Sequence, residues 1–532
     1  MRSMSKIELI RQNLHRSRYK SQASTQITLD DDFIVPDAMD DMEKIIVNSG
    51  DVILDSVRNQ TERVMIRGKL AFQVLYRNPE GGLQTLAGSI AIEEPMNVPG
   101  LEEKDETGVS WELEDLSTEM INSRKLSVKA ILTFRVRSEA LMDGEAVVEA
   151  RETGSGNTEA QEDSPLQVRR QTMETAALKV RRKDTVRVRE SITLPGNKPA
   201  MEQILWKQVS LLATSAKSQD GSLLAEGQIQ IFCLYEGEGE ELPVQWFEET
   251  IPFSGTIELD QISEGMPSFT RMRLVHKELE AKPDADGELR ELDLDAVVEL
   301  DIKIYEEEPL ELVEDLYATD REIDVVREEN QFDKILTNTT GKCKITDRMK
   351  YDPTDRILQI CHHDGQIKID QVEVKGDGLE ISGVLEVIFL YMTSDDKEPL
   401  RSGSDVIPFQ YFIEVPEIDQ ESVWQLTSEV DQLSSVMMGN DTIEVRAALN
   451  LELLVLQPVR CPVITGIQEK PLDLEALKAL PGITGYIMKK GDRLWDVAKR
   501  FHTTVDHVME MNELDREEVK EGQRLLLVKE LR

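Results

Sequence analysis

The chain has 532 residues, 40 % of them hydrophobic, enough to fill roughly three to five domain cores. Its 102 acidic and 62 basic residues give a formal charge of −40; such a surface repels DNA, RNA and anionic lipid, which excludes nucleic-acid binding by the chain as a whole. Its four cysteines, Cys233, Cys343, Cys361 and Cys461, lie far apart, which excludes a disulfide framework and fits a reducing compartment, and no stretch approaches the ~20 apolar residues of a membrane-spanning helix.

The N-terminus, MRSMSKIELIRQNLHRSRYK, is basic and no long apolar run follows it. It therefore reads as an arm, residues 1–24, rather than a secretory signal, and the chain is expected to stay in the cytosol that made it. Ile7, Ile10 and Leu14 fall at helical spacing and predict a brief amphipathic helix. That helix either docks on the first domain or serves as a partner-binding peptide.

A triplicated strand follows. Gly68–Tyr76 reads GKLAFQVLY, Gly227–Tyr235 reads GQIQIFCLY and Gly383–Tyr391 reads GVLEVIFLY. Alternate positions are apolar in each, the period of a strand with one face on a core. A proline stands 30 to 32 residues upstream of each glycine (Pro36, Pro195, Pro353), and an isoleucine 24 residues downstream (Ile92, Ile251, Ile407). The later copies continue as Ile-Pro-Phe, whereas the first has Ile92-Glu-Glu-Pro. A further alternating strand begins at Val128, Leu294 and Val445. These landmarks predict a mainly β protein with three β-sandwich or barrel-like repeats at 25–145, 186–310 and 341–462.

Between the repeats the composition shifts. Glu152–Pro165 has no large apolar residue and reads as a flexible linker, and QTMETAALKVRR (171–182) can form a short helix, so 146–185 is assigned as a linker with a helix. EEEPLELVEDL opens an acidic stretch, with 311–340 assigned as an acidic linker. It is either a solvated face or a docking surface for a basic partner. A last linker, 463–484, carries Leu472, Leu474, Leu477 and Leu480 as an amphipathic turn or two before Pro481-Gly482.

From Thr484 onward the charges balance at ten basic and ten acidic residues, so the whole excess of acid lies upstream. Tyr486–Met488 predicts a strand. Leu494, Val497, Ala498 and Phe501 then line one helix face. Thr504 is a suitable N-cap for a second helix that ends near Asn512, and Leu525–Val528 predicts a second strand.

This βααβ pattern, with Tyr486, Gly491-Asp492, Leu494, Ala498, Phe501, Val508, Asn512, Leu514, Gly522-Gln523 and Leu525, resembles a LysM module spanning 485–530. The resemblance implies a groove for N-acetylglucosamine-containing glycans or a protein partner, lined by Gly491, Asp492, Arg493, Leu494 and Trp495 on one side and Asn512, Glu513 and Leu514 on the other. Arg493 stands where the family usually has a helix-capping Ser or Thr, which leaves Asp492 as the candidate cap. Trp495 is either an interface anchor or half-buried packing. The Gly…Leu-Tyr strands, with Ile-Pro-Phe after two of them, resemble the SPOCS-like domain of spore-coat and spore-envelope assembly proteins. Three such domains and a LysM module resemble clostridial coat-morphogenesis proteins. That likeness implies a scaffold in the mother-cell cytoplasm at the outer forespore surface. Its implied partners are the coat's basement-layer ATPase and other coat proteins.

No catalytic constellation, cofactor motif or metal site is read from the sequence. Cys361-His362-His363-Asp364 carries metal-capable side chains, but neighbours in a strand point to opposite faces and zinc needs spaced ligands. It reads as a strand end with polar residues turned outward. Cys233, flanked by apolar residues, reads as a small core residue.

Overall fold

The computed structural model describes residues 7–153, 164–239, 244–351, 357–395, 397–439, 442–472 and 481–528. Its first domain comprises β1 (Ile7–Ile34), β2 (Lys44–Gln60), β3 (Arg63–Arg77), β4 (Leu83–Asn97), β5 (Glu106–Asn122) and β6 (Lys125–Glu152). The second repeats the order in β7 (Leu166–Thr193), β8 (Met201–Gln219), β9 (Ser222–Gly237), β10 (Val244–Glu258), β11 (Ser268–Pro283) and β12 (Leu289–Ala318). The third does so in β13 (Arg321–Lys350), β14 (Ile357–Lys375), β15 (Gly378–Thr393), β16 (Leu400–Glu414), β17 (Val423–Met437) and β18 (Thr442–Pro471).

Each domain is a sandwich of two three-stranded antiparallel sheets, ordered β2-β3-β4 and β1-β6-β5 in the first and equivalently in the others. The triplicated stretches are the central strands β3, β9 and β15, and their tyrosines (Tyr76, Tyr235, Tyr391) are buried in the sandwich cores. Cys233 is fully buried beside them. The repeated glycines answer to steric need. A Cβ on Gly68 would lie 2.3 Å from the Ile53 carbonyl oxygen, and one on Gly383 2.3 Å from that of Lys368. The Ile-Pro-Phe segment brings the Phe253 ring over Gly227, where a Cβ would meet it at 2.7 Å.

The leucine before each tyrosine points the other way. Leu75, Leu234 and Leu390 join Leu205, Trp206, Phe232, Cys361 and Leu400 in one buried cluster shared by all three domains. The domains thus close into a ring with internal pseudo-threefold repetition. A bulge drops Ile46, Leu205 and Cys361 from register at equivalent places in β2, β8 and β14. The Thr85 hydroxyl on β4 donates to the Leu205 carbonyl, and the Ser402 hydroxyl on β16 donates to that of Ile46. At the third seam His362 Nδ1 on β14 lies 2.8 Å from Glu248 on β10, and its ring stacks on Phe232 with centroids 4.0 Å apart. The Cys-His-His-Asp stretch is therefore not an outward-facing strand end. Cys361 and His362 are buried at a domain seam, and His363 bonds the Leu433 carbonyl at 3.0 Å. Among the described residues no cluster could hold a metal ion.

The predicted arm and linkers are corrected most. Ile7, Ile10 and Leu14 lie in β1, which pairs with β6 from Ile7↔Glu152 onward. Residues 171–182 lie in β7, and the acidic stretch pairs against them, from Glu306↔Ala177 to Leu316↔Val168. Its carboxylates meet cations on the neighbouring strand, with Arg169–Glu314 at 2.8 Å and Lys179–Glu308 at 3.6 Å. Residues 321–340 lie in β13, paired with β18. An isolated helix this short is marginal in water, so an available partner strand overrides helical spacing. The described parts of 146–185 and 311–340 thus form, with β1 and β18, two-stranded ribbons running out of the sandwiches. The three ribbons pack on one another through Ile7, Val147, Leu166, Val313, Leu316, Ile323 and Ile464. Arg321, only 1 % exposed, ties Glu152 of the first ribbon to Glu469 of the third. The expected leucine-rich turns at 473–480 lie outside the described residues.

Candidate functional site: the C-terminal module and its seat

The C-terminal module comprises β19 (Ile483–Ile487), α1 (Leu494–Arg500), α2 (Val505–Met511) and β20 (Arg524–Val528). The strands pair antiparallel, from Ile483↔Val528 to Ile487↔Arg524. The apolar helix positions form its core, with Leu494, Val497, Ala498, Val508 and Leu525 nearly inaccessible. Thr504 caps α2 by accepting from the His507 amide at 3.2 Å.

The residues singled out from the sequence have distinct positions here. Gly491 turns the chain at φ +91°, a left-handed conformation suited to glycine. Asp492 does not cap α1. The N-cap is Arg493, without a side-chain cap bond, and the Asp492 carboxylate accepts from the Lys489 amide at 2.9 Å and the Tyr486 hydroxyl at 2.7 Å. Those two donors hold its pKa below the ordinary value. Asn512 donates to the Val508 and Leu526 carbonyls at 2.7 and 2.9 Å and accepts from the Leu526 amide at 2.6 Å. Each of these two loops is therefore anchored to a hairpin strand, one through Tyr486 on β19 and the other through Leu526 on β20. Glu513 is exposed at φ +51°, and Leu514 is half-buried against the core. Leu494 is core, 1 % exposed.

Arg493 and Trp495 face the rest of the chain. The Trp495 indole N–H donates to Asp315 at 2.8 Å, and the ring meets Tyr317 edge-on with centroids 4.9 Å apart. Lys499 Nζ lies 2.8 Å from both Asp315 oxygens, and Arg493 reaches Glu314 at 3.3 Å. The Tyr317 hydroxyl donates to the Thr503 carbonyl at 2.8 Å. A bulge between Val313 and Asp315 on β12 sets this seat. Arg327 of the third ribbon also binds Asp315, at 2.5 Å. Burial alone would raise the Asp315 pKa, but Lys499, the indole N–H and Arg327 hold it below the ordinary carboxylate value. The sequence marked the acidic run that holds Glu314 and Asp315 only as a solvated face or a docking surface for a basic partner; it singled out neither residue, nor Tyr317, because their partners lie about 180 residues away.

Three repeated β-sandwiches with a two-helix, one-hairpin module define a multidomain protein built on a β body. Comparison with family models gives the particulars. The model described as "SipL, SPOCS domain" matches residues 41–121, 200–282 and 356–438, and the LysM domain model matches 486–528. The chain carries three SPOCS domains followed by a LysM domain, the architecture of a sporulation-related protein. Each SPOCS match spans the inner four strands of a sandwich, β2–β5, β8–β11 or β14–β17, and excludes the strands that continue into the ribbons. No curated protein and no solved structure matches the chain. No helix among the described residues is long and apolar enough to cross a membrane.

Proposed function

We propose that the protein is a non-enzymatic scaffold of spore-coat and spore-envelope assembly. It recruits the coat's basement-layer ATPase to the outer forespore surface, from the mother-cell side, through its LysM module and β-domains. The domain order of three SPOCS units and one LysM supports this reading. The observation that carries it is the hairpin of the LysM module. While α1 faces the ribbons, Ile483, Ile487 and Leu526 stand 63, 58 and 43 % exposed on one face of β19–β20, on either side of Gly485. An apolar stripe left in water favours contact with a protein partner. Linking this contact to others on the domains raises effective affinity without stronger individual contacts.

The alternative is a wall protein binding N-acetylglucosamine glycan, which the LysM match favours. In that reading Gly491 and Asp492 on one loop and Asn512, Glu513 and Leu514 on the other face the sugar, while Leu494 stays in the core and Arg493 turns to Glu314. Titrating the full chain with the purified ATPase, and separately with chitin oligomers and muropeptides, decides between them. The scaffold reading expects ATPase binding that Ile487→Glu weakens at least about tenfold, the usual effect of a lost interface anchor. Saturable glycan binding without ATPase binding overturns it.

A further inference from the structure

The outer face of the LysM hairpin ends in positive charge. Residues directly opposite in an antiparallel pair share a face, so Arg524, paired with Ile487, lies on the same face as Ile483, Ile487 and Leu526. The two segments that close this end are tied together. The Met488 amide donates to the Gln523 carbonyl at 2.9 Å, and the Gly522 amide to the Met488 carbonyl at 2.8 Å. They bring Lys489 and Lys490 of one segment and Lys520 of the other to the Arg524 end of the hairpin. All four cations are exposed, and among the described residues none of their side chains has a hydrogen bond or an ion pair.

Two carboxylates share this end. Asp492 is already held by the Tyr486 hydroxyl and the Lys489 amide, and Glu521 is exposed in the turn. The other acidic residues between 484 and 528 lie in the module's two helices and in the loop 512–519. An apolar stripe with an incompletely neutralised basic end thus stands on a chain of net −40.

We propose that this face docks an acidic segment of a protein partner. Apolar side chains of that segment cover Ile483, Ile487 and Leu526, and its carboxylates meet Lys489, Lys490, Lys520 and Arg524. The inference rests on the reading of the hairpin as the partner contact and adds the partner's chemistry. Opposite charge at an interface rim steers the encounter and sets its salt dependence. An anionic bilayer fits less well, because its charge extends under the whole acidic body and repels it, whereas a protein presents its acid locally.

The test titrates the full chain with a synthetic peptide of alternating glutamate and valine, with its lysine–valine counterpart, with vesicles of anionic phosphatidylglycerol, and with the purified ATPase. The expected result is saturable binding of the acidic peptide and of the ATPase, weakened by added sodium chloride. Lys490→Glu combined with Arg524→Glu should weaken both by about tenfold or more. Lys104→Glu, a charge reversal at an exposed residue of the first domain, should leave both nearly unchanged. If the Arg524 change disturbs the hairpin, Lys489→Glu with Lys490→Glu in the loop carries the same expectation. No binding of the acidic peptide, equal binding of the lysine peptide, equal affinity in the charge-reversal variant, or vesicle binding in place of peptide binding overturns the proposal. ATPase binding that Ile487→Glu weakens but charge reversal leaves untouched overturns the proposal and keeps the scaffold reading. Acidic-peptide binding without ATPase binding keeps the proposal and overturns that reading.

Discussion

Glu452 shows what a single side chain can do inside this body. It lies on β18, and burial, followed by the negative field of Glu429, pushes its pKa from 4.5 up to about 7. Glu429 is raised as well, chiefly by burial, and accepts from the Thr214 amide of the second domain at 3.2 Å. A carboxyl whose folded pKa exceeds its unfolded value binds more protons in the native state. Stability therefore falls as pH rises from about 4.5 to about 7 and stays reduced above that. The full effect is on the order of 3 kcal/mol at neutral to alkaline pH. Glu452→Gln should remove much of it. Melting temperatures measured near pH 5 and near pH 8 should drop less between the two in the variant than in the wild type; parallel drops would refute the assignment. At this scale the sequence was partly legible. The alternation in GVLEVIFLY announced that Tyr391 faces a core, whereas nothing in it showed that Leu390 faces a second core built by all three domains.

The β12 tip is where an element decides the arrangement. Its bulge turns Glu314 and Asp315 toward α1, where one carboxylate accepts from Trp495 and Lys499 and also binds Arg327. Hydrogen bonds with a charged partner contribute roughly 1.5–3 kcal/mol each. Asp315→Ala should therefore loosen the seat while leaving the module's own core intact. Hydrogen exchange on the full chain should speed up in α1 around Trp495 and Lys499 and remain slow at Val508 and Leu525, which lie inside the module. Unchanged protection of α1 would mean that Asp315 does not hold the module. The LysM elements themselves were legible, because helix face, cap and turn signals are local. The ribbons were not. Ile7, Ile10 and Leu14 match a helix as well as one half of a strand pair, and the choice is made by β6, more than a hundred residues downstream.

At the scale of the whole molecule, the junction of Glu139 with Lys303, Arg181 and Arg137 locks the first domain to the second. Burial would raise the Glu139 pKa, but these cations bring it down to about 2, while burial lowers that of Lys303 to about 8. Stability from Glu139 is full above its unfolded value of 4.5 and is lost as pH falls toward about 2. Glu139→Ala leaves buried cations without their acid and should cost about 3–5 kcal/mol in chemical denaturation. Adding Lys303→Met should recover much of that loss, and a double variant no more stable than the single would show that the pair is not the source. The sequence by itself determined the triplicated core strands and the LysM pattern, since alternation, helical spacing and repeated distances are written within short stretches of chain. Only the tertiary structure decided that the arm and linkers are ribbons, that the domains close into a ring and that the LysM module sits on Asp315. Those outcomes rest on pairings such as Ile7 with Glu152 and Trp495 with Asp315, whose partners lie far apart along the chain.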